Sequence, residues 1–342
     1  MSQTRKPISL ALQGGGAHGA LSWGVLDRLL EDGRLDIKAI TATSAGAMNA
    51  VALATGLANG GREGAREHLE SFWKDVSNRS ATSRFLTDMS KASSVGVAGG
   101  LRPFNMLMAL MSVASPYDLN PFNYNPLREA LEAQIDFDAV QGAGVDLYLT
   151  ATNVETGRAR IFSGEEVTLE ATLASACLPQ TFQAVEIDQV PYWDGGYVGN
   201  PSLYPLIYSG APGDILLVLL NPLRRGGVPK TASEIQDRLN EINFNAALIG
   251  ELRAIGFVQK LLDENWLVRQ AQSQYRRLYL HTIQGGGAIC ELTLESKYDT
   301  SWDFLVDLRD RGRVLADEWL ATQFEKVGRE SSIDVRAEFL DD

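Results

Sequence analysis

Three short stretches carry residue types and spacings suited to chemistry. The first is Gln13-Gly14-Gly15-Gly16-Ala17-His18-Gly19, three glycines closing an apolar run. Backbone without side chains can turn its N–H groups onto an anion, with the N-terminus of the following helix behind them. Gly14, Gly16 and Gly19 also match the dinucleotide pattern G-x-G-x-x-G. That reading needs a carboxylate near the end of the second strand to hold a ribose. The strand ends Thr41-Ala42-Thr43-Ser44 and offers none. By itself the loop admits a pyrophosphate, the oxyanion of an acyl transfer, or a plain structural turn.

The second stretch is Ala42-Thr43-Ser44-Ala45-Gly46, between a strand and a helix. A serine at such a turn, with small neighbours, fits a nucleophile elbow: the sharp turn exposes the hydroxyl. The helix N-terminus at Ala45 favours a developing alkoxide. The plainer reading is a serine N-cap. The third stretch is Trp193-Asp194-Gly195-Gly196, at another strand end. Its glycines let the chain turn sharply and leave room around the Asp194 carboxylate, which could take a proton from Ser44. The plainer reading is an Asp-Gly turn.

The elements that must position these groups follow from periodicity. Residues 7–13 are a short buried strand, and Ala17–Glu31 has apolar residues at helical spacing, closed by Gly33. Ile37–Thr43 is a β-branched strand and Ala45–Leu57 an Ala- and Leu-rich helix. Strand, helix, strand, helix predicts a parallel sheet with right-handed crossovers. Two adjacent βα turns then place the glycine loop and Ser44 on one carboxyl edge. Further along, the sequence predicts helices at Gly64–Val76, Leu169–Cys177, Ala232–Gln272 and Trp302–Val327. Strands are predicted at Val145–Ala151, Gln189–Trp193, Ile215–Leu220 and Arg277–Ile283, with a hairpin turn at Glu155–Arg158. Periodicity is lost over residues 79–125, which hold four of the six methionines: Met89, Met106, Met108 and Met111. Methionine adapts to irregular apolar ligands, so residues 79–125, with the Met106–Met111 stretch inside them, are read as a lid or acyl-pocket segment, against a plain core helix.

Composition sets the frame. The 342 residues are 45% hydrophobic and 22% charged, ordinary globular values that exclude disorder and collagen. The net charge of −12 argues against nucleic acid as a partner and gives no bulk attraction to anionic lipid. Any transient membrane-surface contact is then local and apolar. Two cysteines, Cys177 and Cys290, make no disulfide framework. No apolar run reaches the roughly 18 residues of a membrane span, and no signal peptide is read, so a cytoplasmic place is expected.

Taken together, the three stretches resemble the patatin-like phospholipases, which carry a glycine-rich oxyanion loop, a G-x-S-x-G elbow and a D-G-G or D-G-A aspartate in that order. Here the order is Gly14–Gly16, Ser44, Asp194, with Leu178-Pro179 before the aspartate strand and Asn200-Pro201 after it. The likeness covers residues 7–60 and 170–220. Two positions depart from it. Ala42 stands where the family usually has glycine, and His18 where the loop usually has Arg or Lys. Alanine is the smallest substitute, while histidine removes a permanent charge.

The resemblance implies a single α/β domain over 1–342, its mostly parallel sheet flanked by helices on both faces in a three-layer sandwich. Residues 7–220 form the catalytic core, and 230–342 a mainly helical extension packed on it. It implies a Ser44–Asp194 dyad, an oxyanion hole from Gly14, Gly15, Gly16 and Ala17, and support from His18, Gly19, Ala42, Ala45, Gly46, Gly195 and Gly196. Substrates would be fatty-acyl esters of phospholipids or related lipids, cleaved through an acyl-enzyme without metal or organic cofactor.

Three rivals remain. Ser44, Asp194 and His281 stand in the chain order of an α/β-hydrolase triad, although those enzymes place several strands before the elbow. A dinucleotide-binding protein and a non-catalytic lipid-binding module are the others. The three histidines, His18, His68 and His281, have no partner at metal-ligand spacing.

Overall fold

The computed structural model describes residues 5–93 (backbone only over 81–93), 114–264, 266, 276–285, 289 and 291–339. The chain starts with β1 (Lys6–Leu12), a 3-10 turn at Gly16–His18, α1 (Gly19–Asp32) and β2 (Leu35–Ala42). Gly33 ends α1 in the left-handed conformation that glycine adopts freely, with φ 78°. Next comes α2 (Ala45–Ser93), bent at Gly60-Gly61 where two helical segments meet. The short helices α3 (Pro116–Leu119), α4 (Pro126–Gln134) and α5 (Phe137–Gln141) lead to β3 (Asp146–Asn153) and β4 (Ala159–Ser163). There follow α6 (Leu169–Ser175), β5 (Val185–Ile187), β6 (Val190–Asp194), α7 (Tyr204–Tyr208) and β7 (Asp214–Leu219). The described chain closes with α8 (Ala232–Asp263), β8 (Tyr279–Gln284), α9 (Trp302–Thr322) and α10 (Val335–Phe339).

The strands form one eight-stranded sheet in the order β5-β6-β3-β2-β1-β7-β8, with β4 paired to β3. The pairs β3–β2, β2–β1, β1–β7 and β7–β8 are parallel, whereas β3–β4, β3–β6 and β6–β5 are antiparallel. The period-2 alternation of strand side chains divides the core in two. Ile8, Leu10, Leu12, Leu216 and Val218 face one helical layer that includes α1, α2 and α9. Ala11, Ile215, Leu217 and Leu219 face the other, built from α7, α8 and α10. This is the three-layer α/β sandwich expected from the sequence.

The structure differs from expectation in two places. Residues 79–93 continue α2 as helix rather than ending in irregular chain. Residues 94–113, with the Met106–Met111 stretch, lie outside the described residues. The segment 230–342 does more than pack on the core, because β8 extends the central sheet through a six-residue parallel register with β7. α9 also packs along α1 on the face carrying Trp23, and Trp23 and Trp302 approach to 5.9 Å between ring centroids.

Candidate active site

The elbow begins where β2 ends. Ala42 is an ordinary strand residue, buried and paired with Leu12 and Leu149, so the extra methyl is accommodated. Ser44 has φ 55°, a left-handed conformation that costs a non-glycine residue about 1 kcal/mol or more. The turn is held on every side. Gly46 N–H donates to the Thr43 carbonyl at 2.9 Å, and the Ser44 N–H donates to Ser175 Oγ at 2.9 Å. Thr43 Oγ1 donates to the Gly199 carbonyl at 2.7 Å. Asn49, one turn into α2, donates to the carbonyls of both Gly19 and Ala45, which ties the starts of α1 and α2 together. Ser44 remains 9% exposed.

The glycine loop lies directly against this turn. A Cβ at Gly14 would sit 2.6 Å from Ser44 Cβ and 2.8 Å from the Thr43 carbonyl oxygen, so only glycine allows the approach. Gly14 does not serve as a free donor, however. Its N–H donates to Asn200 Oδ1 at 2.7 Å, and its carbonyl accepts from Asn221 Nδ2 at 3.2 Å. The oxyanion set expected from sequence therefore loses Gly14. Among the described residues, Gly15, Gly16 and Ala17 carry no such N–H partner. Gln13 anchors the loop from below: Oε1 accepts from Leu220 and Asn221 N–H, and Nε2 donates to Asn200 O and Asn245 Oδ1.

His18, where a permanent charge is usual, stays neutral. Burial, with the nearby Lys297 ammonium adding to it, lowers its pKa to about 3. Its Nε2 meets Ser296 Oγ at 2.8 Å. Gly19 starts α1 immediately after it.

Asp194 reaches Ser44 by strand register. β4 occupies one edge of β3 over Tyr148–Thr152, so β2 and β6 share the other edge. β2 stops with Ala42 opposite Leu149; β6 comes in antiparallel and stops with Asp194 opposite Ala151. The two strands point at one another along that edge, and their ends carry Ser44 and Asp194. The Asp194 backbone is pinned by Thr152 Oγ1 donating to its carbonyl at 2.7 Å and by its own N–H donating to Cys177 O at 2.7 Å. Gly195 and Gly196 begin a 3-10 turn, and Gly196 N–H donates to Asp194 Oδ1 at 2.7 Å.

The carboxylate is wholly buried. Burial pushes its pKa up to about 6, against the opposing pull of Gly196 N–H, the Ser44 hydroxyl and Lys297. Ser44 thus bears on the carboxylate, while Oδ2 lacks a partner in regular hydrogen-bond geometry. A strained serine beside a half-proton-hungry buried carboxylate can pass a proton at near-neutral pH.

The third histidine candidate falls away. His281 Nε2 lies 3.1 Å from Asp214 Oδ1, at the opposite end of β7 and β8 from the elbow, and the ring is fully buried. It is a packed residue, edge-on to Trp319, and the triad reading does not hold. His68 sits on α2, beyond the bend at Gly60-Gly61.

Several contributors escaped sequence reasoning. Gln13 and Asn200 were in view as neighbours of motifs, yet their buried amides mark them as loop anchors. Asn221 directly follows an apolar strand, which is a usable signal. Ser175, Thr152 and Lys297 come from distant elements and give no local signal.

A family model described as patatin-like phospholipase matches residues 10–207. A comparison with curated proteins finds no match. Among solved structures, the chain is similar to VipD from Legionella pneumophila at 14% identity and TM-score 0.41, covering 98% of this chain and 73% of that one. It is also similar to ExoU, crystallised with SpcU of the Pseudomonas aeruginosa type III secretion system, at 16% identity and TM-score 0.36. That match covers 94% of this chain but 53% of the other, so the chain spans about half of its length.

Proposed function

Because the chain belongs to the patatin-like phospholipase family, whose members are lipid acyl hydrolases, we propose that it cleaves fatty-acyl esters of phospholipids or related lipids through a Ser44–Asp194 dyad. The observation that carries this reading is the strained Ser44, with φ 55°, at the end of the strand aimed at Asp194. Asp194 accepts the Oγ proton as Ser44 Oγ attacks the ester carbonyl carbon. The N–H groups of Gly15, Gly16 and Ala17 receive the tetrahedral oxyanion, each worth roughly 3 kcal/mol. The bond to the alcohol oxygen then breaks, and the proton passes from Asp194 to the departing alcohol. Water, deprotonated by Asp194, attacks the acyl-enzyme, and the fatty acid leaves with Ser44 restored.

No metal or organic cofactor enters this scheme. The surface for the lipid interface is the exposed run Tyr117, Leu119, Phe122 and Tyr124, within which Phe122 is 95% exposed. No described helix is long and apolar enough to cross a membrane.

The test is a fluorophosphonate probe with a lipid extract as substrate. Wild type should label at Ser44 and release free fatty acid. Ser44→Ala should do neither while keeping its melting temperature within a few degrees, because alanine fits the same turn. A folded Ser44→Ala variant that still hydrolyses lipid at the wild-type rate would remove Ser44 from the mechanism.

A further inference from the structure

We propose that Lys297, far outside the motif region, is a positioning residue for the Ser44–Asp194 site: it clamps the glycine loop and places a positive charge facing Asp194. The inference rests on the dyad reading above and extends it to a residue beyond the matched segment, residues 10–207.

The contacts form a continuous path. Residues Glu295–Tyr298 make a 3-10 turn packed on the glycine loop. Gly16 has φ 60°, and a side chain there would collide with the Lys297 carbonyl, so the loop is shaped around this turn. The Lys297 side chain runs inward. Its Nζ donates to Asn221 Oδ1 at 2.8 Å and Asn240 Oδ1 at 2.7 Å, and lies 5.4 Å from the Phe244 ring centroid. Asn221 in turn donates through Nδ2 to the Gly14 carbonyl. The ammonium therefore orients the amide that holds the residue packed on Ser44. Ser296, the preceding residue, engages His18 from the same turn. One short turn thus grips the loop at Gly14, Gly16 and His18.

The electrostatics run the same way. Burial lowers the Lys297 pKa to about 8, while Glu241, Asp194 and Asp237 hold it up. Reciprocally, Lys297 lowers the pKa of Asp194 and of His18. Around Asp194 the other titratable groups are Cys177, Tyr197 and Tyr298, all with pKa values raised by burial and so neutral near pH 7. His18 is neutral as well. Glu241 is itself paired with Arg225 and Arg238. Lys297 adds a positive charge that favours the ionised form of this buried carboxylate, beside the Gly196 N–H and the Ser44 hydroxyl.

The test is the pH dependence of kcat/KM on a short-chain ester, with Lys297→Gln and Lys297→Arg beside the wild type. The wild-type rate should rise through about pH 6 as Asp194 ionises and fall through about pH 8 as Lys297 loses its proton. Lys297→Gln keeps an amide donor but no charge. Its rising limb should move to higher pH, its alkaline fall should vanish, and its plateau should drop roughly tenfold or more. Lys297→Arg keeps the charge to far higher pH, so the rate should persist while the fall near pH 8 disappears. This second signature stands even where the glutamine variant does not fold. An unmoved acid limb in a folded Lys297→Gln, or an unchanged alkaline limb in Lys297→Arg, would overturn the inference while fluorophosphonate labelling at Ser44 stayed intact. Absence of that labelling in the wild type would overturn the dyad and this inference with it.

Discussion

Ser44 and Asp194 are each placed at a cost to folding. The serine holds a left-handed backbone, and the carboxylate is buried with one oxygen unpartnered. Such costs survive when the surrounding structure over-determines the conformation, as the hydrogen bonds donated by Thr43 and Thr152 and accepted by the Cys177 carbonyl do. The raised pKa of Asp194 gives a sign to its effect on stability. The folded state keeps the proton up to about pH 6 and the unfolded chain only to about 3.8. Stability therefore falls as pH rises through that interval and is level above it. Asp194→Asn, isosteric and uncharged, should melt higher than wild type at pH 7, by up to about 3 kcal/mol, a gap closing toward pH 4. The same variant should be inactive toward esters. An Asp194→Asn protein less stable than wild type at pH 7 would contradict the burial argument.

At the scale of elements, the decisive event is the meeting of β2 and β6 end to end on one edge of β3. The parallel crossover from β1 to β2 brings the glycine loop beside the elbow, and the antiparallel return of β6 brings Asp194. β7 and β8 stand on the other side of β1, and their His281–Asp214 pair ties the strand starts together, with Asp214 also accepting from Gly328 N–H at 2.7 Å. His281→Ala leaves Asp214 short of a buried partner. It should lower stability by about 1–3 kcal/mol and leave kcat on a short ester within a few-fold. Thermal melts and initial rates on one preparation separate the two effects. A folded variant slowed by orders of magnitude would reinstate histidine as the base.

The whole molecule presents an acidic body of net charge −12 with an exposed aromatic run at residues 117–124. Bulk charge repels an anionic surface, so on the proposed function adhesion to lipid would come from local apolar contact. Phe122→Asp should then reduce cleavage of phospholipid in zwitterionic vesicles by roughly tenfold, while hydrolysis of a soluble short-chain ester stays near wild type. Equal rates on both substrates for variant and parent would place the lipid contact elsewhere. Cohesion within the layer of α1, α2 and α9 is reinforced by polar contacts. Ion pairs of Asp27 with Arg66 and Arg313 link α1 to α2 and α9, and Arg62 donates to the carbonyls of Leu29, Leu30 and Leu35 at the end of α1 and start of β2.

What the amino-acid order determined by itself is local. Apolar runs ending in glycines marked β1 and the loop, small residues around Ser44 marked the elbow, and Asp-Gly-Gly marked the end of β6, because turns and strand ends depend on residues a few positions apart. The same locality made the family legible, since its motifs are contiguous. Tertiary structure decided the rest. That β6 runs antiparallel and faces β2 follows from both strands pairing with β3, which lies far from each of them in sequence and which periodicity cannot pick out. That Gly14 N–H is engaged by Asn200 removed one expected oxyanion donor, and only packing shows it. His281 has the chain order of a catalytic base, yet its strand position carries it to the wrong end of the sheet. Lys297 carries no motif; it reaches the glycine loop because the chain after β8 folds back over it, and a buried charge takes its meaning from the groups around it rather than from its neighbours in sequence.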